Sequence, residues 1–396
     1  MSPSSGAAKP SFVVATPGRS VCDDNARALL HHGLLRFLAL GTRRGAAGVP
    51  PEFTRLNPKI GLAAYIAARL LPTYRSESFR FRLHPWFDDW VKKQLFTGDH
   101  IISSYGYAND CFREVRRRGG KTFVDGGNSH PKDFWTVLVE EHKRWNCPYP
   151  PVSRHYYERA LDMMEHVDYV LSPSAHVTRS FLNNGFKPEQ ILKNVYPVDT
   201  SCFRPPDSPR PKNRPLTLIA PGSLSLRKGT PYLLEAFRLI IKKIPTARLV
   251  LIRVVFENVA EILRKNADLP IVWLPPLSRS ELAEQMRQSD LLILPSLEEG
   301  LARIIIEGWA CGLPAIITPN TGAAEYVVPN RNGAVVPIRD PAAIAEAVFN
   351  WADLNLNKTN PSVPMVDPKF FFFATFENEF LRQLTALGLT GALANS

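Results

Sequence analysis

The sequence predicts an α/β protein of two domains, each a doubly wound parallel sheet, and three observations carry that prediction. The chain is 396 residues long, about two to three times the usual length of one domain. Six prolines fall between Tyr196 and Pro215 (Pro197, Pro205, Pro206, Pro209, Pro211 and Pro215), a density that neither a helix nor a central strand survives. After that break, short apolar runs alternate with helical patterns, as βαβ crossovers require.

In the second half the expected strands are residues 216–220, 247–255, 271–274, 291–294 and 314–318. Helical patterns lie between them at 230–241, 260–265, 279–287 and 301–311. The first half is less regular, with strands expected at 12–15, 36–39, 100–103 and 167–172, and another leading into the turn after Asp125. The domains are therefore drawn as residues 1–195 and 216–367, with 196–215 as linker. Residues 368–396 follow as a terminal helical segment whose aromatic face (Phe370 to Phe373, Phe376, Phe380) must be buried against something. No internal repeat or low-complexity tract is present, which excludes solenoids.

Hydrophobic residues make up 45% and aromatics 10% of the chain, and mean hydropathy is −0.13, which describes a folded protein rather than a disordered one. The net charge of +11 implies an anionic partner: nucleotide, nucleic acid or anionic lipid headgroup. The charge is spread along the chain and no nucleic-acid motif accompanies it, so no nucleic-acid partner is expected. Cys22, Cys111, Cys147, Cys202 and Cys311 form neither a disulfide framework nor a zinc pattern, and a reducing cytoplasm fits them best. Residues 1–10 do not read as a signal peptide. The longest apolar stretch, 60–68, is far short of the roughly 20 residues that span a bilayer. His31, His32 and His155 lack companions at metal spacing, so no metal ligand is expected.

Two segments carry chemistry. Residues 291–314 run from a buried strand through the turn Glu298, Glu299, Gly300 into a helix bearing Glu307. That places the acidic turn at the carboxyl edge of a parallel sheet, where such sheets bind ligands. Gly300 admits close backbone approach, and the N–H groups of Leu301, Ala302 and Arg303 at the helix start suit a phosphate. The alternative is that these carboxylates only complement the helix dipole. The second segment, residues 221–237, is again a strand end leading into a helix, with Gly222, Ser223, Arg227, Lys228 and Gly229 in its loop. Its two cations suit a pyrophosphate.

Together these segments resemble the retaining glycosyltransferases of family 4, the group 1 glycosyltransferases, whose GT-B fold sets two Rossmann-like domains across a cleft. The family's Glu-x7-Glu motif is matched by Glu299 and Glu307, followed by the Glu-Gly-Trp-Ala-Cys-Gly-Leu-Pro tail to Pro314. The loop from Gly222 to Gly229 also matches, as do residues 196–205 as interdomain entry and 321–325 near the sugar-side loop. The resemblance implies that Glu307 binds the donor ribose, Lys228 the diphosphate and Glu299 the donor sugar. By the same resemblance the backbone from Gly300 to Arg303 holds phosphates, residues 273–277 face the base, and the terminal helix packs back towards the first domain. No Asp-x-Asp sequence occurs, so Arg227 and Lys228 take over a metal's role and no cofactor is implied.

The chain departs from the family pattern in two places. Ser223 stands where many members have arginine, and Pro17 to Ser20 replace a glycine pair after the first strand. In the first domain, His130 follows the Gly126-Gly127 turn and matches a family histidine near the donor sugar; its alternative is an ordinary loop residue. Arg116 to Arg118, beside Gly119 and Gly120, read as a solvated helix end rather than a lipid site. Residues 59–75 read as a core helix, with a helix lying on a membrane surface as the alternative.

The expected function is metal-independent, retaining transfer of a sugar from a nucleotide-sugar donor to a glycan, lipid-linked or small-molecule acceptor. It would take place in the cytoplasm or at the inner face of an anionic membrane. The alternatives are a nucleotide-sugar-binding protein with a degenerate site and a GT-B nucleotide-sugar epimerase.

Overall fold

The computed structural model describes residues 11–18, 20–41, 48–71, 73–149, 153–199, 201–208, 214–355 and 365–391. The expectations for residues 1–10, for Arg19 and for linker positions 200 and 209–213 lie outside the described residues.

Among the described residues, seven parallel strands form the first sheet. They are β1 (Ser11–Thr16), β2 (Leu35–Leu40), β3 (Thr54–Leu56), β4 (Asp99–Ser104), β5 (Thr122–Asp125), β6 (Tyr169–Ser172) and β7 (Ile191–Lys193). Their order is β3-β2-β1-β4-β5-β6-β7, with Val13 of β1 opposite Phe37 of β2 and Ile101 of β4. The connecting helices are α1 (Cys22–His31), α2 (Pro58–Leu70), α3 (Thr73–Arg82), α4 (His84–Lys92), α5 (Asn109–Arg117), α6 (Pro131–Arg144), α7 (Arg154–Met164) and α8 (Ala175–Asn183).

The second sheet has six parallel strands: β8 (Thr217–Ala220), β9 (Arg248–Ile252), β10 (Ile271–Leu274), β11 (Leu291–Leu294), β12 (Ala315–Ile317) and β13 (Gly333–Val335). Their order, β10-β9-β8-β11-β12-β13, repeats the 3-2-1-4-5-6 winding of the first sheet. Its helices are α9 (Thr230–Lys243), α10 (Glu257–Lys265), α11 (Arg279–Gln288), α12 (Arg303–Ala310) and α13 (Pro341–Asn355). Leu291 and Ile293 of β11 enter the core on one face of this sheet, Leu292 and Leu294 the core on the other. A strand covered on both faces must be apolar throughout, which is why β11 reads as a continuous apolar run.

After a 3-10 turn at Pro368–Phe371, helix α14 (Phe373–Ala386) returns to the first sheet. Its Phe376, Phe380 and Leu384 pack with Phe12, Val14, Leu29 and Leu38, and burying each such side chain contributes roughly 1.5–3 kcal/mol. Arg116 and Arg117 lie in the last turn of α5, with Gly119 in the left-handed region at φ 81°. Arg117 and Arg118 both donate to Glu114, so this cluster is a helix end.

The core-helix expectation for residues 59–75 is corrected. The segment forms two helices, α2 and the start of α3, and α2 buries only Ile60 and Ala67. Leu62, Tyr65, Ile66 and Leu70 stand exposed. Apolar periodicity identified the helix but not which side of it meets the core. Three strands, β3, β7 and β13, were not expected at all.

Candidate functional site

Strands β8 and β11 lie side by side at the point where the winding of the second sheet reverses, and the crevice beyond their carboxyl ends is where an open sheet takes a ligand. Both motif-bearing loops leave from there. They touch directly: the Leu297 N–H donates to the Arg227 carbonyl at 2.8 Å, and a Cβ on Gly229 would fall 2.0 Å from the Pro295 carbonyl oxygen. Gly229, at φ 68°, also starts α9 from a left-handed conformation. Gly222, at φ 128°, faces open space beside Ser223.

The two loops are joined by charge. Arg227 Nη1 donates to the Glu298 carbonyl and to Glu299 Oε1, each at 2.9 Å, and Lys228 Nζ pairs with the same Glu299 oxygen. Burial alone would raise the Glu299 carboxyl, but the flanking Arg227 and Lys228 outweigh it and hold the group below the usual carboxylate range. Burial lowers the Lys228 ammonium, with Glu299 opposing. Glu298 moves upward because burial exceeds the pull of Arg227.

Glu307, one turn into α12, accepts from Arg279 Nη1 at 2.9 Å, and Arg279 also donates to the Asp199 carbonyl at 3.0 Å. Burial raises the Glu307 carboxyl while Arg279 draws it down. Helix α12 begins at Arg303, two residues later than expected. Ala302, its N-cap, sits in the left-handed region at φ 58°, ψ 67°, an unusual place for a residue with a Cβ. The structure thus brings Gly222, Ser223, Arg227, Lys228, Glu299, Gly300, Leu301, Ala302, Arg303 and Glu307 to one edge of the second sheet. Trp273, expected near the base, is the next-to-last residue of β10, towards the same edge.

Across from them, the first domain closes down. The Ser129 N–H donates to Glu298 Oε1 at 2.8 Å, and Ser174 Oγ donates to the Gly300 carbonyl at 2.6 Å. A Cβ on Gly300 would lie 2.2 Å from the Gly127 carbonyl oxygen, so only glycine permits this approach. Glu325, in a 3-10 turn at Gly322–Tyr326, accepts from the Ala175 N–H at 3.0 Å. Arg303 reaches Asp24 of α1 at 3.4 Å. Further along the cleft, Glu141 of α6 accepts from Tyr232 at 2.6 Å and from Arg339 at 2.8 Å.

The structure places His130 at the start of α6, just beyond the Gly126-Gly127 turn that meets Gly300. Its Nδ1 accepts from the Lys132 N–H at 3.3 Å to cap α6, and its ring packs on Phe181 and Phe186. Burial holds its pKa down to about 4. Sequence reasoning put Glu298 in the acidic turn without a role of its own, and passed over Arg279. Glu298 adjoins a motif residue, yet its partner Ser129 lies 169 positions away, and no local pattern announces such a contact.

Residues 215–353 match the family model described as Glycosyl transferases group 1. The second domain is a group 1 glycosyltransferase domain. Both domains of the chain superpose on sucrose-phosphate synthase from Thermosynechococcus elongatus with a TM-score of 0.68, covering 96% of this chain and 100% of that one at 16% identity. Anabaena HepE, solved with UDP and glucose, matches with a TM-score of 0.64 at 13% identity, covering 95% and 100%. The fold is therefore GT-B. In sequence, the chain is 31% identical over 252 residues to a Bacillus subtilis (strain 168) protein assigned as the glycosyltransferase EpsD, covering 60% of this chain and 61% of that one. It is 25% identical over 254 residues to a GDP-mannose-dependent phosphatidylinositol monomannoside mannosyltransferase of Mycolicibacterium smegmatis, covering 59% and 62%. The alignments span about three fifths of the length of these curated relatives.

Proposed function

We propose that the protein moves a sugar from a nucleotide-sugar donor to an acceptor hydroxyl with retention of anomeric configuration. The observation that carries this reading is the meeting of Arg227 and Lys228 from the β8 loop with Glu299 from the β11 loop at the reversal point of the second sheet. Two half-buried cations beside the start of α12 form a positive site suited to a diphosphate. Glu299 then takes sugar hydroxyls, and Glu307 takes the ribose once Arg279 yields. The residues from Trp273 to Leu277 border the base.

In transfer, the donor C1–O bond to the diphosphate breaks and the acceptor oxygen bonds C1 on the same face. The acceptor proton passes to the departing phosphate oxygen. Negative charge grows on that leaving group, and fixed cations stabilise it best when already in place. Lys228 and Arg227 supply that charge without a metal ion. His130 shapes the first-domain wall from its capping position. We place the reaction in the cytoplasm, a reducing compartment that suits the free cysteines.

Calorimetry and thermal shift with UDP, GDP, ADP and their sugars, with and without Mg²⁺, test the reading. One nucleotide class should bind without metal and lose affinity in Glu307→Ala. Absence of binding by every nucleotide overturns the donor site, and equal binding by the variant overturns the ribose role.

A further inference from the structure

Among the described residues, half of the large hydrophobic side chains that stand exposed fall between Leu56 and Phe96. The densest group is on α2, where Leu62, Tyr65, Ile66 and Leu70 are 60%, 56%, 47% and 76% exposed. Positions 62, 66 and 70 recur at four-residue spacing with Tyr65 beside them, so they lie along the side of α2 turned away from Ile60 and Ala67, which enter the core. Monomeric proteins rarely leave such contiguous apolar surface without a use for it.

Charge decides what covers it. Residues 53–76 contain Arg55, Lys59, Arg69 and Arg75 and no Asp or Glu. The Arg69 guanidinium lies 5.2 Å from the centre of the Tyr65 ring, at the border of the apolar stripe. A second copy docked through the same face would bring these cations against one another. The 13 residues of α2 make a rod of roughly 20 Å, and no helix among the described residues is long and apolar enough to cross a membrane. An apolar stripe edged by cations on a helix that cannot span is the pattern of a helix lying in a bilayer interface.

We propose that the exposed face of α2 binds the surface of an anionic lipid membrane. Leu62, Tyr65, Ile66 and Leu70 enter the headgroup boundary while Lys59 and Arg69 meet lipid phosphates. The start of α2 packs beside the loops that follow β1 and β2, where Ile60 Cγ2 would lie 3.2 Å from a Cβ on Gly41. Membrane binding therefore sets the carboxyl edge of the first sheet near the lipid surface. The proposal does not rest on the donor-site reading, because vesicle binding needs no nucleotide.

Co-sedimentation of the full chain tests it, using vesicles of phosphatidylcholine alone and of phosphatidylcholine with phosphatidylglycerol. The wild type should bind the anionic vesicles, and added salt should weaken that binding. The triple variant Leu62→Gln, Ile66→Gln, Leu70→Gln should bind roughly tenfold or more weakly, as should Lys59→Glu with Arg69→Glu, both with an unchanged melting temperature. Failure of the wild type to bind anionic vesicles overturns the proposal, as does equal binding by the folded variants. A solution dimer dispersed by the same substitutions also overturns it, by making the face a protein interface.

Discussion

Replacing Gly300 by alanine tests whether closure of the two domains builds the site. The backbone of Gly300 is not in the left-handed region, so alanine costs nothing there in backbone strain. The added Cβ, however, would sit 2.2 Å from the Gly127 carbonyl oxygen, and a carbon at van der Waals contact needs about 3.5 Å. The first-domain loop must retreat by about 1 Å. That movement breaks the 2.8 Å bond from the Ser129 N–H to Glu298 and the 2.6 Å bond from Ser174 to the Gly300 carbonyl.

A hydrogen bond to a charged group is worth about 1.5–3 kcal/mol and a neutral one about 0.5–1.5 kcal/mol, so closure loses about 2–4 kcal/mol. At about 1.4 kcal/mol per factor of ten, kcat/KM for transfer should fall roughly 30-fold to several hundred-fold. The Ser129 amide should exchange faster with solvent, and small-angle scattering should show a more open particle. Each domain keeps its own core, so heat unfolding should change little. A kcat/KM within about threefold of wild type, with unchanged Ser129 exchange, would refute the reasoning.

Lys228→Ala should lower turnover by two or more orders of magnitude, the usual scale for losing one preorganised charge-stabilising group; near-wild-type rates would remove Lys228 from the chemistry. Ala302→Gly relieves a left-handed residue that costs about 1–2 kcal/mol, offset by about 0.4–1 kcal/mol of unfolded-chain entropy. A net gain of roughly 0.5–1 kcal/mol should appear in urea unfolding, and a loss of stability would contradict it. Asp125 is buried against Tyr196 and Asn25, and burial raises its pKa from 3.8 to about 7. Between those values the folded chain holds a proton that the unfolded chain has released, so this group's contribution to stability falls from about pH 4 to about pH 7 and is level above. Asp125→Asn should flatten that part of the stability profile relative to wild type, and parallel profiles would count against the assignment.

How far the sequence could be read depended on how far apart the partners lie along it. Strand β11, the acidic turn and α12 are consecutive, so residues 291–311 alone placed Glu299 and Glu307 at a sheet edge. The buried strands of the second domain announced themselves because both of their faces are covered. Strands β3, β7 and β13 did not, since three residues at a sheet edge show no periodicity and β13 begins with Gly333. His130 was ambiguous for a related reason. A histidine before a proline reads the same in sequence whether it faces a ligand or caps a helix, and the Phe181 and Phe186 rings it packs on are distant from it along the chain.

The same limit explains α2 and the cleft together. A helix with apolar residues on two stripes gives one periodic signal, and the strands and helices that cover one stripe and leave the other exposed are distant in sequence. Ser129 and Glu298 are likewise strangers until both sheets exist. Each lies in a loop at the carboxyl edge of its own sheet, and the 2.8 Å bond between them follows only when two domains with the same winding face each other across that edge. Local sequence therefore specifies the half of the site proposed to hold the donor, Lys228, Glu299 and Glu307, while Gly127, Ser129 and Ser174 are recruited by tertiary structure. Substitutions in the first group should change how a nucleotide binds to the isolated cleft wall. Substitutions in the second should leave nucleotide affinity nearly intact and slow transfer, because they act on closure after the donor is held.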